Sequence, residues 1–205
     1  FIAENVKGLL TLHKGSIIAK VIKAFEDAGY IVKKQLIRCA DYGVPQKRER
    51  VIIVGVRKDI HQEYIFPEAP NENNWQSLSV AVHNLAIEDK KYYFSEKAVQ
   101  GMKNAKNNMK RGLAQNLDEP CLTVTSHLAK VSLNSRDPVL LVDPEKELYR
   151  RFTPREAARI QSFPDSFQFA GSETDAYRQI GNAIPPVMFW HIAKSILPIL
   201  GDTKE

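Results

Sequence analysis

The apolar run Val51-Ile52-Ile53-Val54-Gly55-Val56, entered straight from Asp41-Tyr42-Gly43-Val44-Pro45-Gln46-Lys47-Arg48-Glu49-Arg50, limits the fold more than any other part of this sequence. A run without polar side chains and rich in β-branched residues makes a strand that must be covered on both faces, as strands of α/β sheets are. The turn residues Gly43 and Pro45 set Gln46, Arg48 and Arg50 at the mouth of that strand. Residues two apart in an extended chain share a face, so Arg48 and Arg50 are expected to point the same way. Paired planar donors of fixed charge suit a phosphate, a carboxylate or a base edge. Taken alone, a Lys-Arg-Glu-Arg run reads first as a charged strand edge, and the rest of the chain has to decide.

Upstream, Phe1-Ile2-Ala3 reads as the end of a buried strand, with neither an initiator Met nor a signal-peptide layout. The expectation is a fragment of a longer protein, or a protein whose preceding piece is supplied separately. Glu4-Asn5 then falls where an α/β strand gives way to a loop, the edge at which such sheets hold ligands. Ser16 is positioned to cap a helix with apolar residues Ile17, Ile18, Val21, Ile22 and Phe25 at helical spacing, closed by Gly29. Tyr30 to Ile37 follows as a strand. Residues 1 to 60 thus read as strand, helix, strand, strand.

From about Pro67 to Asp143 the character changes. Helical signals are weak, Asn and Lys are dense, and short β-like pieces occur at Cys121 to Ser126 and Val139 to Val142. Such a segment is either a loose insertion or a small module whose polar donors contact bases and phosphates; candidates for the latter include Lys103, Lys106, Lys110 and Arg111. Order returns at Thr153-Pro154-Arg155-Glu156, a complete capping box that starts a helix through Ala157, Ala158 and Ile160. Thr174 and Asp175 begin another helix, which stops at Gly181-Asn182. After Pro185-Pro186 a last helix carries Phe189, Trp190, Ala193, Ile196 and Leu197, an apolar face expected to dock on the first domain, with both aromatics in the core.

The 205 residues suffice for one good core plus a satellite. A net charge of +5 leans towards a polyanionic partner. Cys39 and Cys121 fit neither a disulfide framework nor a metal site, which points to a reducing compartment, and the five histidines are scattered, so no metal is expected. No apolar run approaches a membrane-spanning length.

Four segments, in order, resemble the later motifs of the DNA cytosine-5 methyltransferases. Glu4-Asn5-Val6 resembles the ENV motif, and Gln46-Lys47-Arg48-Glu49-Arg50 the QxRxR motif. Arg151 to Asp165 (RFTPREAARIQSFPD) matches the penultimate motif nearly throughout, and Tyr177 to Pro186, with QIGNAI inside it, resembles the last. The fifteen-residue match is the specific one. The middle of the chain corresponds by position only, where such enzymes carry a variable target recognition domain.

The resemblance implies the second half of a Rossmann-like α/β methyltransferase fold at residues 1–66, a small, irregular, β-containing recognition domain at 67–145, and a hinge helix with the return to the first domain at 146–205. It implies 5-methylation of a flipped cytosine in a specific duplex sequence, with S-adenosylmethionine as donor. In such chemistry a cysteine thiolate adds at carbon 6 and the resulting enamine attacks the methyl group. By resemblance Glu4 addresses ring N3 and the exocyclic amine, Arg50 the O2 side, and Arg48 braces the site or a phosphate. Asn182 and Ala183 would lie on the cofactor side, although Gly181-Asn182 also reads as a plain helix C-cap. Gln46, Thr123 and Val124 would contact DNA. Arg155 and Arg159 read as packing groups.

The family's glycine-rich cofactor loop and its Pro-Cys-Gln nucleophile are not in this sequence. Cys121 follows Pro120 but precedes Leu122, not Gln, and comes after the QxRxR segment, so both cysteines read as buried structural residues. The implied partners are duplex DNA, the N-terminal half of the enzyme and a restriction endonuclease system, in bacterial cytoplasm at the nucleoid and not at a membrane. The chain alone is expected to be inactive. The alternative is a non-catalytic DNA-binding or partner-binding protein on the same scaffold.

Overall fold

The computed structural model describes residues 1–104, 114–130 and 137–201. Strands β1 (Ile2–Val6), β2 (Tyr30–Arg38) and β3 (Glu49–Arg57) form an antiparallel sheet in the order β1-β3-β2, with β3 central. Every residue from Val51 to Val56 is buried, as the apolar run requires. Alternation divides them: Val51 and Ile53 pack with Ile18 of helix α1 (Ser16–Asp27), whereas Ile52, Val54 and Val56 pack with Met188 and Ile192 of helix α5 (Pro186–Leu200). The sheet is therefore one layer of three.

Two local expectations change. Ser16 does not cap α1: Gly15 occupies the cap position with no side-chain bond, because His13, Lys14 and Gly15 all have positive φ and shift the break one residue upstream. The last helix docks through Met188 and Ile192, not through the face that carries Trp190 and Leu197; Trp190 is 54% exposed and Phe189 only partly buried. The helix is apolar on nearly all sides, so spacing did not determine which side faces the sheet.

A second core gathers Leu78, Ala81, Cys121, Val124, Leu128 and Leu140 with residues of helices α3 (Pro154–Ile160) and α4 (Glu173–Asn182). Ala157, Ala158 and Ile160 of α3 and Tyr177 and Ile180 of α4 thus pack with the middle of the chain, and the sheet regains the chain at α5. Beside this core a hairpin of β4 (Leu140–Asp143) and β5 (Leu148–Arg150) packs with α2 (Glu96–Asn104), a helix that the Lys/Asn-dense sequence did not announce. Cys121 to Ser126 is not a strand; Cys121 makes an isolated parallel bridge to Gln46.

The capping box is present: Thr153 Oγ1 accepts the Glu156 N–H at 3.2 Å, and Glu156 Oε2 accepts the Thr153 N–H at 2.8 Å. The same carboxylate takes a bidentate pair from fully buried Arg150, at 2.7 and 2.8 Å, while the guanidinium also donates to the carbonyls of Asn84, Leu85 and Arg151. Removing one member of a buried pair strands the other charge, at a cost of roughly 3–5 kcal/mol. Glu156→Ala is therefore expected to lower unfolding stability by that amount in a urea titration; a loss below about 1 kcal/mol, the range of an exposed pair, would contradict this role.

Candidate active-site wall and module junction

Glu4 and Arg50 meet because of sheet register. Glu4 lies opposite Ile52 and Val6 opposite Arg50, so Glu4 and Arg50 are diagonal neighbours on one face, within reach of long side chains. Arg50 Nε stands 2.7 Å from Glu4 Oε1, and its Nη1 donates to the Glu49 carbonyl at 2.8 Å. Both side chains keep some exposure, 15% and 20%. This is an oriented carboxylate and guanidinium at the end of a rigid strand pair, open to a ligand that offers both donors and acceptors.

Arg48 does not join them. It precedes β3 and turns into the protein, 2% exposed, where Nη1 donates to the Val124 carbonyl at 3.1 Å and Nη2 to the Gly181 and Ala183 carbonyls at 3.2 and 3.3 Å. Gly181 and Ala183 lie at the C-terminal end of α4, the negative end of the helix dipole, so a cation there is favoured. Burial, and then the nearby Arg50 charge, hold its pKa below the usual value, at about 10, and it stays charged at neutral pH. This placement gives Arg48 a task in the junction, not contact with a base or phosphate.

Gln46 has 0% exposure. Its Oε1 accepts the Val124 N–H at 2.8 Å, and its Nε2 donates to Gln161 Oε1 at 2.6 Å and to the Ile160 carbonyl at 3.4 Å. Gln161 in turn donates to the carbonyls of Ile180 and Ala183 at 2.8 and 2.9 Å. The expectation that Gln46 contacts DNA conflicts with this burial: an amide with its groups engaged inside the protein has no free face for a base. Val124 is likewise buried with both backbone groups taken, by Gln46 and Arg48; Thr123 beside it is partly exposed. Gln161, a hub of this network, was visible in the sequence only as one letter of a long motif.

Gly181 is not a helix cap. It lies inside α4, is not among the positive-φ glycines, and any Cβ there would run into the backbone of Thr125 and Ser126. Its smallness lets the helix touch the loop that follows Val124. Asn182 is exposed at the end of α4, where an amide can serve a polar ligand; the Ala183 carbonyl is already engaged by Arg48 and Gln161.

Neither cysteine is poised to react. Burial pushes the Cys39 thiol up to about 12 despite the nearby Arg48 and Arg50, and raises that of Cys121 further. Both remain protonated thiols at neutral pH. Lys103 is paired with Glu147, whereas Lys106, Lys110 and Arg111 lie outside the described residues. Among the described residues no group of His, Cys, Asp and Glu could hold a metal ion, and no single helix is long and apolar enough to cross a membrane.

A family model described as C-5 cytosine-specific DNA methylase matches residues 1–198. The Type II methyltransferase M.NgoFVII of Neisseria gonorrhoeae is 35% identical over 235 residues, covering 100% of this chain and 60% of that protein. M.BspRI of Lysinibacillus sphaericus is 33% identical, covering 98% of this chain and 51% of that one. The chain thus spans about half to two thirds of the length of the curated relatives it matches. In fold it is similar to the crystal structure of S. pombe Dnmt2 methyltransferase, with a TM-score of 0.73 at 17% identity over 98% of this chain and 66% of that one. A putative DNA modification methyltransferase encoded within an E. coli prophage gives 0.69 at 20% identity, over 98% and 69%.

The junction makes a local prediction. Gln161→Met keeps the side chain's bulk but removes its donors and acceptor, taking one donor from each of the Ile180 and Ala183 carbonyls and the 2.6 Å acceptor from the Gln46 amide, at roughly 0.5–1.5 kcal/mol per lost bond. The variant is expected to be less stable and to exchange the Val124 amide proton faster, because Gln46 loses the partner that orients it. Unchanged exchange at Val124 would show that Gln161 does not hold the junction.

Proposed function

This chain belongs to the C-5 cytosine-specific DNA methylases, and from that premise we propose that its Glu4–Arg50 pair forms one wall of a pocket for a cytosine flipped out of duplex DNA. The observation that carries the reading is the register-fixed carboxylate and guanidinium, 2.7 Å apart and still partly exposed. Glu4 would address N3 and the exocyclic amine, and Arg50 would orient the base through O2. Glu4 has a second carboxylate oxygen and Arg50 further guanidinium N–H groups, so both can address the base while their mutual contact persists.

The family implies S-adenosylmethionine, which supplies the methyl group when bound. Of this chain's residues, exposed Asn182 is the one suited to its polar end, with Ala183 beside it. The attacking thiol would come from another segment, since both cysteines here are buried and protonated. The complete protein would then be a sequence-specific methylase of restriction-modification type acting in the bacterial cytoplasm, and this chain alone would be inactive.

The recognition side would be residues 67–145, with α2 and the loop around Thr123, packed on α3 and α4 and assisted by Lys103, Lys106, Lys110 and Arg111 at the phosphates. Gln46, Arg48 and Val124 would serve recognition indirectly, by holding that module against the sheet.

The test is transfer of labelled methyl groups to cytosine in duplex DNA by the complete protein, with Arg50→Ala alongside. The expected result is cytosine C5 methylation, with Arg50→Ala losing far more turnover than DNA affinity. No transfer by the correctly assembled protein would overturn the reading, and equal losses of turnover and affinity would reassign Arg50 to phosphate binding.

A further inference from the structure

Helix α4 is held at both ends, and by different parts of the chain. The Gly181 and Ala183 carbonyls at its C-terminal end accept Arg48 from the mouth of β3. At the other end Glu173, the first residue of the helix, gathers groups from two separate segments. The Tyr92 hydroxyl donates to Glu173 Oε2 at 2.8 Å, Lys91 Nζ lies 2.8 Å from the same oxygen, and Arg151 Nη2 lies 3.6 Å from Oε1. A carboxylate in the first turn is further favoured by the helix dipole.

The partners of Glu173 are themselves tied together. Lys91 Nζ and Arg151 Cζ stand 4.9 and 5.4 Å from the centroid of the Tyr92 ring, and Tyr92 is 8% exposed. The Arg151 N–H donates to the Tyr92 carbonyl at 2.9 Å, and the Arg151 side chain donates to the Ala129 carbonyl. Beyond Tyr92 the chain passes through Tyr93, whose hydroxyl bonds both backbone groups of Ile87 at 3.0 Å. It then enters Phe94 and α2, which share a core with Val139 and Tyr149. Glu173 thus joins α4 to the segment that carries the α2 and hairpin core.

The cluster is peripheral. The Glu173 and Lys91 side chains are 33% and 51% exposed, so their ion pair adds little to stability, whereas Tyr177 and Ile180 of the same helix are buried in the second core. What the cluster contributes is orientation: three donors converging on one carboxylate select one placement of residues 87–93 on the helix.

We propose that α4, ten residues and about 15 Å long, is a strut between the candidate recognition segment and the mouth of β3, and that Glu173 is a positioning residue for sequence recognition. The proposal rests on the methylase reading above, in which residues 67–145 face the DNA, and it gives Glu173 no contact with a base or phosphate. Reading base edges needs several groups in register at once, whereas phosphate contacts carry no sequence information. Loss of the carboxylate therefore costs discrimination and spares general affinity.

The complete protein is tested on a duplex selected by binding from random DNA and on the same duplex with one altered base pair. Glu173→Ala should reduce the ratio of the two affinities roughly tenfold, within the range that one mismatched pair commands, with affinity for unrelated DNA and the urea midpoint unchanged. Glu173→Gln keeps an acceptor for Tyr92 but not the charge that draws Lys91 and Arg151, and its ratio should fall between. In this chain without DNA, Glu173→Ala should speed exchange of the Arg151 amide proton several-fold. An unchanged ratio, unchanged Arg151 exchange, equal losses on all DNA, or a urea midpoint that falls together with the ratio would each overturn the proposal. Methyl transfer is scored separately. Selection of a sequence without methylation defeats the catalytic reading alone, methylation with a ratio indifferent to Glu173 defeats this proposal alone, and a protein that selects no sequence defeats both.

Discussion

Everything at the candidate site depends on a buried polar junction between two cores. Gln46, Arg48 and Gln161 meet the backbone groups of Val124, Ile160, Ile180, Gly181 and Ala183, and every one of these contacts joins segments distant in sequence except those that Gln161 makes within the α3–α4 module. Unmet, those carbonyls and amides would each cost free energy in a dry interior. Satisfied, they fix one arrangement of the second module on the mouth of β3. The strand that positions Arg50 is thus continuous with the segment that supplies Gln46 and Arg48.

The junction also explains the different fates of two arginines two residues apart. Among the described residues Arg48 is a buried cation with no carboxylate ion pair, held by three carbonyls, two of them at the negative end of α4. Arg50 is partly exposed and paired with Glu4. The first charge is spent on architecture; the second is poised for a ligand. Glu4 and Arg50, set by the β1–β3 register, are the pair proposed to line one side of the base pocket.

Much of this was legible in the sequence because it rests on local rules. The β3 run, the α1 periodicity and the Thr153 capping box each state their structure within about a dozen residues. Ordered motifs brought Glu4 and Arg50 together before any register was known. Other features depend on partners that no local pattern names. Gln46 looks like a surface donor until Val124 and Gln161 are placed around it, and Gly181 looks like a cap until the Thr125–Ser126 backbone is seen against it. The side of α5 that docks was not readable, since its apolar residues surround the helix. Helix α2 was hidden by a Lys/Asn-dense composition that carries no strong helical signal.

The proposed role of the Glu4–Arg50 pair is to receive the edge of an extruded cytosine. It is tested most directly by the distance from the Arg50 guanidinium to cytosine O2 in a structure of the complete protein on its duplex. The expected result is a hydrogen bond of about 2.7–3.2 Å, with Glu4 at N3 and the exocyclic amine of the same base. A cytosine that stays stacked in the duplex, or one extruded into a pocket remote from an intact Glu4–Arg50 pair, would contradict it.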